Sequence, residues 1–110
     1  MSEFVYLYRN GEKMSPEQMQ QQMGRWVAWM KDLETKGALK NPGHPLERSG
    51  KVVSGSNRAV SDGLFAEAKD VIGGFTIVEA RDVDHAVELT AGCPIFLVGG
   101  GVEVRPIMKM

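Results

Sequence analysis

A chain of 110 residues with 13 basic and 14 acidic side chains carries a formal net charge of -1. It lacks the single-sign field that draws a protein to a phosphate backbone or an anionic membrane, so neither nucleic acid nor membrane is an expected partner. One domain with one core suits this length, and the lone cysteine, Cys93, excludes an intrachain disulfide or a thiolate zinc cluster.

Phe4 to Arg9 is β-branched and aromatic and ends at Asn10-Gly11, which predicts a strand followed by a turn. Phe4, Tyr6 and Tyr8 project one way, Val5 and Leu7 the other. Both faces are apolar, so helices must cover one and something else the other.

Ser15-Pro16-Glu17-Gln18 combines a capping serine, proline at the first helical position and glutamine three residues after the cap. The helix that follows is expected to bury Met19, Met23, Trp26, Met30 and Leu33, with Val27 beside them. Gln20, Gln21, Arg25, Lys31 and Glu34 fall on its polar side, and Gly37 supplies the stop.

Between Ala38 and Val60 the glycines and prolines argue for short strands joined by turns. Asp62-Gly63 is expected to turn a tight hairpin between Asn57–Val60 and Leu64-Phe65. Phe75 to Ala80 is a second strong strand. Asp82 caps a second helix that runs to Gly92 and Pro94. In the last strand, Val102 to Ile107, Val102 and Val104 share one face while Glu103, Arg105 and Ile107 share the other.

This order predicts an α+β fold, a ferredoxin-like βαββαβ protomer with extra short strands in the middle, as one domain over residues 1–110. Both helices then lie on one face of an antiparallel sheet. The other face is left open, apolar at Val5 or Phe4 according to register, and a second copy would close it into a dimeric α+β barrel. No run approaches the roughly 20 apolar residues of a membrane span, and Met1-Ser2-Glu3 does not open a leader, so a cytoplasmic protein is expected.

The segment Asp62-Gly63-Leu64-Phe65-Ala66-Glu67-Ala68-Lys69-Asp70, followed by Gly73-Gly74-Phe75, resembles the DGPF-type motif of YCII-related proteins. The likeness extends to the aromatic first strand, the Ser-Pro-Glu helix start, Gly37-Ala38-Leu39, the Asp82-initiated helix, Cys93-Pro94 and the closing Val102-Glu103-Val104-Arg105-Pro106. It implies a homodimeric barrel of ferredoxin-like protomers. Some relatives resemble small lyases with a His/Asp dyad, the histidine early in the first helix and the aspartate before a proline after the second. This chain has Pro16-Glu17-Gln18-Met19 and Cys93 at those places, so the dyad does not carry over.

Several residues remain as candidates for chemistry. Asp62 could serve as a base, though it also suits a turn. His44, between Pro42 and Pro45, could be an acid or base titrating near neutrality. Glu67 and Lys69 could contact a ligand or simply pair. Glu103 and Arg105, on a face that a dimer would bury, need each other or a ligand, and with Tyr6 from the first strand they would make a polar spot in an apolar chamber. Cys93 reads as inert, and Gly99-Gly100-Gly101 precedes a strand, so it is no phosphate loop. No metal ligand set and no cofactor are expected.

The reading is a homodimer that binds a small polar or aromatic molecule near its interface. It could act as a cofactor-independent lyase or isomerase, with Asp62 or His44 moving a proton and Arg105 holding an anionic group. The alternative is a non-catalytic ligand-sensing or protein-interaction module.

Overall fold

The computed structural model describes residues 1–9, 11–63 and 71–110. Strand β1 (Ser2–Arg9) leads into helix α1 (Pro16–Thr35), then β2 (Leu39–Asn41), β3 (Lys51–Ser54), β4 (Ala59–Asp62) and β5 (Ile72–Ala80). A short helix α2 (Val83–Glu88), two 3-10 segments at Leu89–Gly92 and Pro94–Val98, and β6 (Gly101–Pro106) complete the chain. Four strands form an antiparallel sheet in the order β2-β5-β1-β6, and β3 and β4 pair separately as a hairpin. This is the ferredoxin-like α+β arrangement, with the hairpin inserted between its second and third principal strands.

The first helix starts where its sequence requires. The Ser15 hydroxyl accepts from the Gln18 N–H, and the Gln18 side chain accepts from the Ser15 N–H at 2.9 Å, a reciprocal cap in front of Pro16. Its buried stripe differs from the expected one. Gln22, Trp29 and Leu33 are buried, with Trp26 and Met30 partly so, whereas Met19 and Met23 are 54% and 71% exposed. The inward arc is thus rotated away from the methionines and toward Gln22. The second helix is shorter than expected, because regular α geometry stops at Glu88 and a 3-10 turn carries the chain to Gly92.

Alternation along β1 resolves the question of faces. Phe4, Tyr6 and Tyr8 turn toward the helices and join Trp29, Leu33, Val78, Ala80, Ala86 and Leu89 in the core. Tyr8 meets Trp26 edge-on at 4.7 Å between ring centroids, and Trp26 meets Trp29 at 5.6 Å, geometries that favour aromatic pairs. Val5, Leu7 and Arg9 point to the opposite face, only partly buried.

The partner expected to pair with Asn57–Val60 beyond Asp62-Gly63, Leu64-Phe65, lies outside the described residues, and the hairpin that is described lies upstream. Asp62 is a strand residue paired with Lys51, and the reversal is made by Gly55–Arg58, closed by the Arg58 N–H on the Gly55 carbonyl at 3.1 Å. Gly55 and Arg58 supply the positive φ angles of this turn, 77° and 56°. Another constrained position is Gly43, at φ 69°, where a Cβ would lie 1.8 Å from the Phe75 carbonyl oxygen. Only glycine lets the loop after β2 lie this close to β5.

With one sheet and one helical layer, the principal extents are 45 × 42 × 18 Å and the radius of gyration is 15.4 Å. A compact chain of this length would have about 13 Å. The described residues form a slab in which none of them covers one face of the sheet.

Candidate functional site

The uncovered face is assembled by register. Val5 pairs with Ile77 on one side and Arg105 on the other, and Leu7 lies between Phe75 and Glu103. Val5, Leu7, Phe75 and Ile77 therefore form a block of four half-buried apolar side chains. Ion pairs frame it. Glu103 Oε1 takes the Arg9 guanidinium at 2.5 Å and Arg105 Nε stands 4.0 Å from Oε2, while Lys40 Nζ lies 3.4 Å from Glu79 and 3.8 Å from Glu3. Glu103 and Arg105 do share this face, but Arg9 is the closer partner of Glu103. The aromatic residue on this face is Phe75, across β1 from Glu103, and β1 itself supplies none.

His44 joins the rim of this face. Its backbone carbonyl accepts from the Phe75 N–H at 3.3 Å, and its ring meets the Phe75 ring edge-on with centroids 6.2 Å apart. Asp62 lies elsewhere, on the projecting hairpin, with its carboxylate on Lys51 and its side chain 87% exposed. Glu67 and Lys69 fall outside the described residues. The two residues expected to move protons are thus placed on different parts of the molecule.

Tyr6 takes a place in the core, with no surface on the open face. It is fully buried and donates its hydroxyl to the Ala86 carbonyl at 2.5 Å. Tyr8 donates to Thr76 Oγ1 at 2.7 Å, and Thr76 donates in turn to the Pro42 carbonyl at 3.0 Å. Burial raises the pKa of both phenols, so they stay protonated. Cys93, 3% exposed, has its thiol pushed up to about 11 by burial, partly opposed by a hydrogen bond with the Ile95 backbone. A neutral thiol with this burial is packing rather than a nucleophile.

A second concavity lies on the helical side, a cleft of about 270 Å³ between the segment after β1, the first turns of α1 and the 3-10 segment Pro94–Val98. At its base Gln22, 3% exposed, donates Nε2 to the Pro94 carbonyl at 2.6 Å and accepts from Arg25 Nη1 at 3.2 Å. Among the described residues, none of those singled out in the sequence for ligand binding lines this cleft. Gln22 was missed because glutamine reads as a surface residue, yet the spacing Gln22, Trp26, Trp29, Leu33 continues the buried arc back to it.

Among the described residues, no group of three or more histidine, cysteine, aspartate or glutamate side chains could hold a metal ion. No helix among them is long and apolar enough to cross a membrane.

Sheet order, helices on one face and the inserted hairpin define the class as an α+β protein of ferredoxin-like topology. The YCII-related domain matches residues 1–110, and the chain belongs to that family. Comparison with curated proteins finds no match. Among solved structures the chain is similar to 5-chloro-2-hydroxyhydroquinone dehydrochlorinase (TftG) from Burkholderia phenoliruptrix AC1100, in complex with 2,5-dihydroxybenzoquinone. The identity is 20%, the alignment covers 98% of this chain and 95% of that one, and the TM-score is 0.49.

Proposed function

We propose that this protein is a cytoplasmic homodimer that binds a small molecule in a chamber formed where two copies bring their open sheet faces together. The observation that carries the reading is the block of Val5, Leu7, Phe75 and Ile77, half-buried in a single chain and framed by charges. Apolar side chains gathered on one uncovered face gain by burial, and a self-complementary face suits a two-fold pair. Closing the face would also desolvate the Arg9–Glu103–Arg105 array, whose charges then require each other or a ligand. An apolar wall with a few placed polar groups is the usual make-up of a small-molecule site.

In this reading Arg105, 66% exposed in the single chain, is the group that meets an anionic or strongly polar part of the ligand. The acid–base version, a cofactor-independent lyase or isomerase, narrows to His44, which borders the face through Phe75. Asp62 with its Lys51 partner fits the hairpin better than the chamber.

Sedimentation velocity at micromolar concentration tests the dimer: the wild type is expected as a dimer and Leu7→Asp as a folded monomer of 12.1 kDa. A wild type that sediments only at 12.1 kDa sinks the reading. The ligand is sought by thermal shift with metabolite mixtures, where a compound that raises the Tm of the wild type but not of Arg105→Ala marks the chamber.

A further inference from the structure

We infer that the helical-side cleft is a binding site for a small carboxylate, separate from the sheet face and independent of dimer formation. Its lining is unusual in how its hydrogen-bonding capacity is divided. Gln18 spends its amide oxygen on the Ser15 N–H at 2.9 Å, which leaves its NH2 group as a donor. Gln22 spends both ends inside the protein, one on the Pro94 carbonyl and one on Arg25. Arg25 commits one N–H to that buried oxygen and keeps the rest of its planar fork.

The charges agree with this count of donors. Among the described residues Lys13, Arg25 and Glu12 are the charged groups that line the cleft, a balance of one positive charge. Among the described residues neither Lys13 nor Arg25 has a carboxylate within ion-pair distance. A cleft rich in donors and carrying one excess positive charge calls for an acceptor with one negative charge. A carboxylate fits that balance better than a phosphate dianion, and a guanidinium fork takes it in two parallel bonds.

Position and size point the same way. Gln22 is held between α1 and the Pro94 turn, so the guanidinium it supports is tethered at one N–H before a ligand arrives, which lowers part of the ordering cost of binding. The opposite wall is Leu97 and Val98, an apolar surface against which the body of the ligand can lie. The volume of about 270 Å³ corresponds to roughly nine water molecules of liquid, the scale of a small aromatic or branched acid.

The test is an amide-resolved NMR titration of the full chain with acetate, succinate and benzoate, alongside inorganic phosphate. The carboxylates are expected to shift the backbone amides of Lys13, Gln21 and Arg25, with benzoate the strongest and phosphate weaker. Arg25→Gln, an exposed substitution, should weaken benzoate roughly tenfold or more. Arg25→Lys should recover only part of it, because an ammonium lacks the fork. The proposal is overturned if no carboxylate shifts these amides at about 20 mM, or if Arg25→Gln binds as the wild type does. It also falls if phosphate binds more tightly than benzoate, or if the shifts map to Val5, Leu7 and Phe75 instead.

Discussion

The two faces of one sheet make the instructive comparison, because the same strands build both. On the helix side every buried side-chain nitrogen and oxygen among the described residues has a partner, as with Tyr6 on Ala86, Tyr8 on Thr76, Thr76 on Pro42 and Trp29 on Leu89. On the open side the apolar groups are half-buried and the polar ones are ionised and paired at the rim. A completed core satisfies its polar atoms with neutral hydrogen bonds, since ions there would cost several kcal/mol each. The open face instead keeps its charges in water and its apolar groups at the centre.

The contrast can be broken most severely at Leu33, fully buried between α1 and the sheet. Leu33→Ala should cost about 2–5 kcal/mol in urea unfolding, whatever the protein concentration. By contrast, the penalty of Leu7→Asp should appear chiefly as loss of dimer and depend on concentration. Equal, concentration-independent penalties would mean that the two faces are not different in kind.

A second test uses pH. Burial raises the Cys93 thiol from 9.0 to about 11, so the folded chain keeps a proton that the unfolded chain has released. Stability from this group is complete below about pH 9, falls as pH rises, and is lost by about pH 11, a decline of at most about 3 kcal/mol. Cys93→Ala should flatten that part of the curve. The buried phenols, raised further, extend the decline to higher pH. An unchanged slope in Cys93→Ala would show that the helix-covered side is wetter than its packing implies.

Smaller again is Tyr8→Phe, which removes one buried hydrogen bond while Thr76 keeps Pro42, at a cost of about 1 kcal/mol. Lys51→Ala, at the exposed pair with Asp62, should leave the unfolding midpoint indistinguishable from wild type.

Local signals carried the parts of the fold that are locally determined. Ser15, Pro16 and Gln18 specify a helix start within one turn, and Asp82 caps α2 by accepting from the His85 N–H at 2.8 Å. Alternation in Phe4–Arg9 announced two distinct faces but could not say which one the helices take. That depends on Trp26 and Trp29 meeting Tyr8 across the layers. The α1 stripe was misjudged for a related reason: methionine is apolar enough to be placed inward, while the Pro94 carbonyl that makes Gln22 preferable lies 72 residues away in the chain. The hairpin that pairs Val52 with Ser61 and Val53 with Val60 reverses at Gly55–Arg58, a turn that the scattered glycines and prolines between Ala38 and Val60 did not single out. Of the candidate site, Glu103, Arg105 and His44 were legible as chemistry, and the placing of His44 on Phe75 with Glu103 and Arg105 across β1 from it was not.

The hydrogen bond from Gln22 to Pro94 has a consequence for how the chain reaches this structure. Together with Tyr6 to Ala86 and Trp29 to Leu89, it ties the first third of the chain to the last quarter across 72, 80 and 60 residues. None of these ties can close while the later segment is absent, so during synthesis β1 and α1 must wait, with their aromatic side chains unpaired. Such separations raise the loop-closure cost that precedes native contacts and slow folding. The core is therefore sealed late and from the C-terminal side, and α2 with the turn at Pro94 acts as its closing segment.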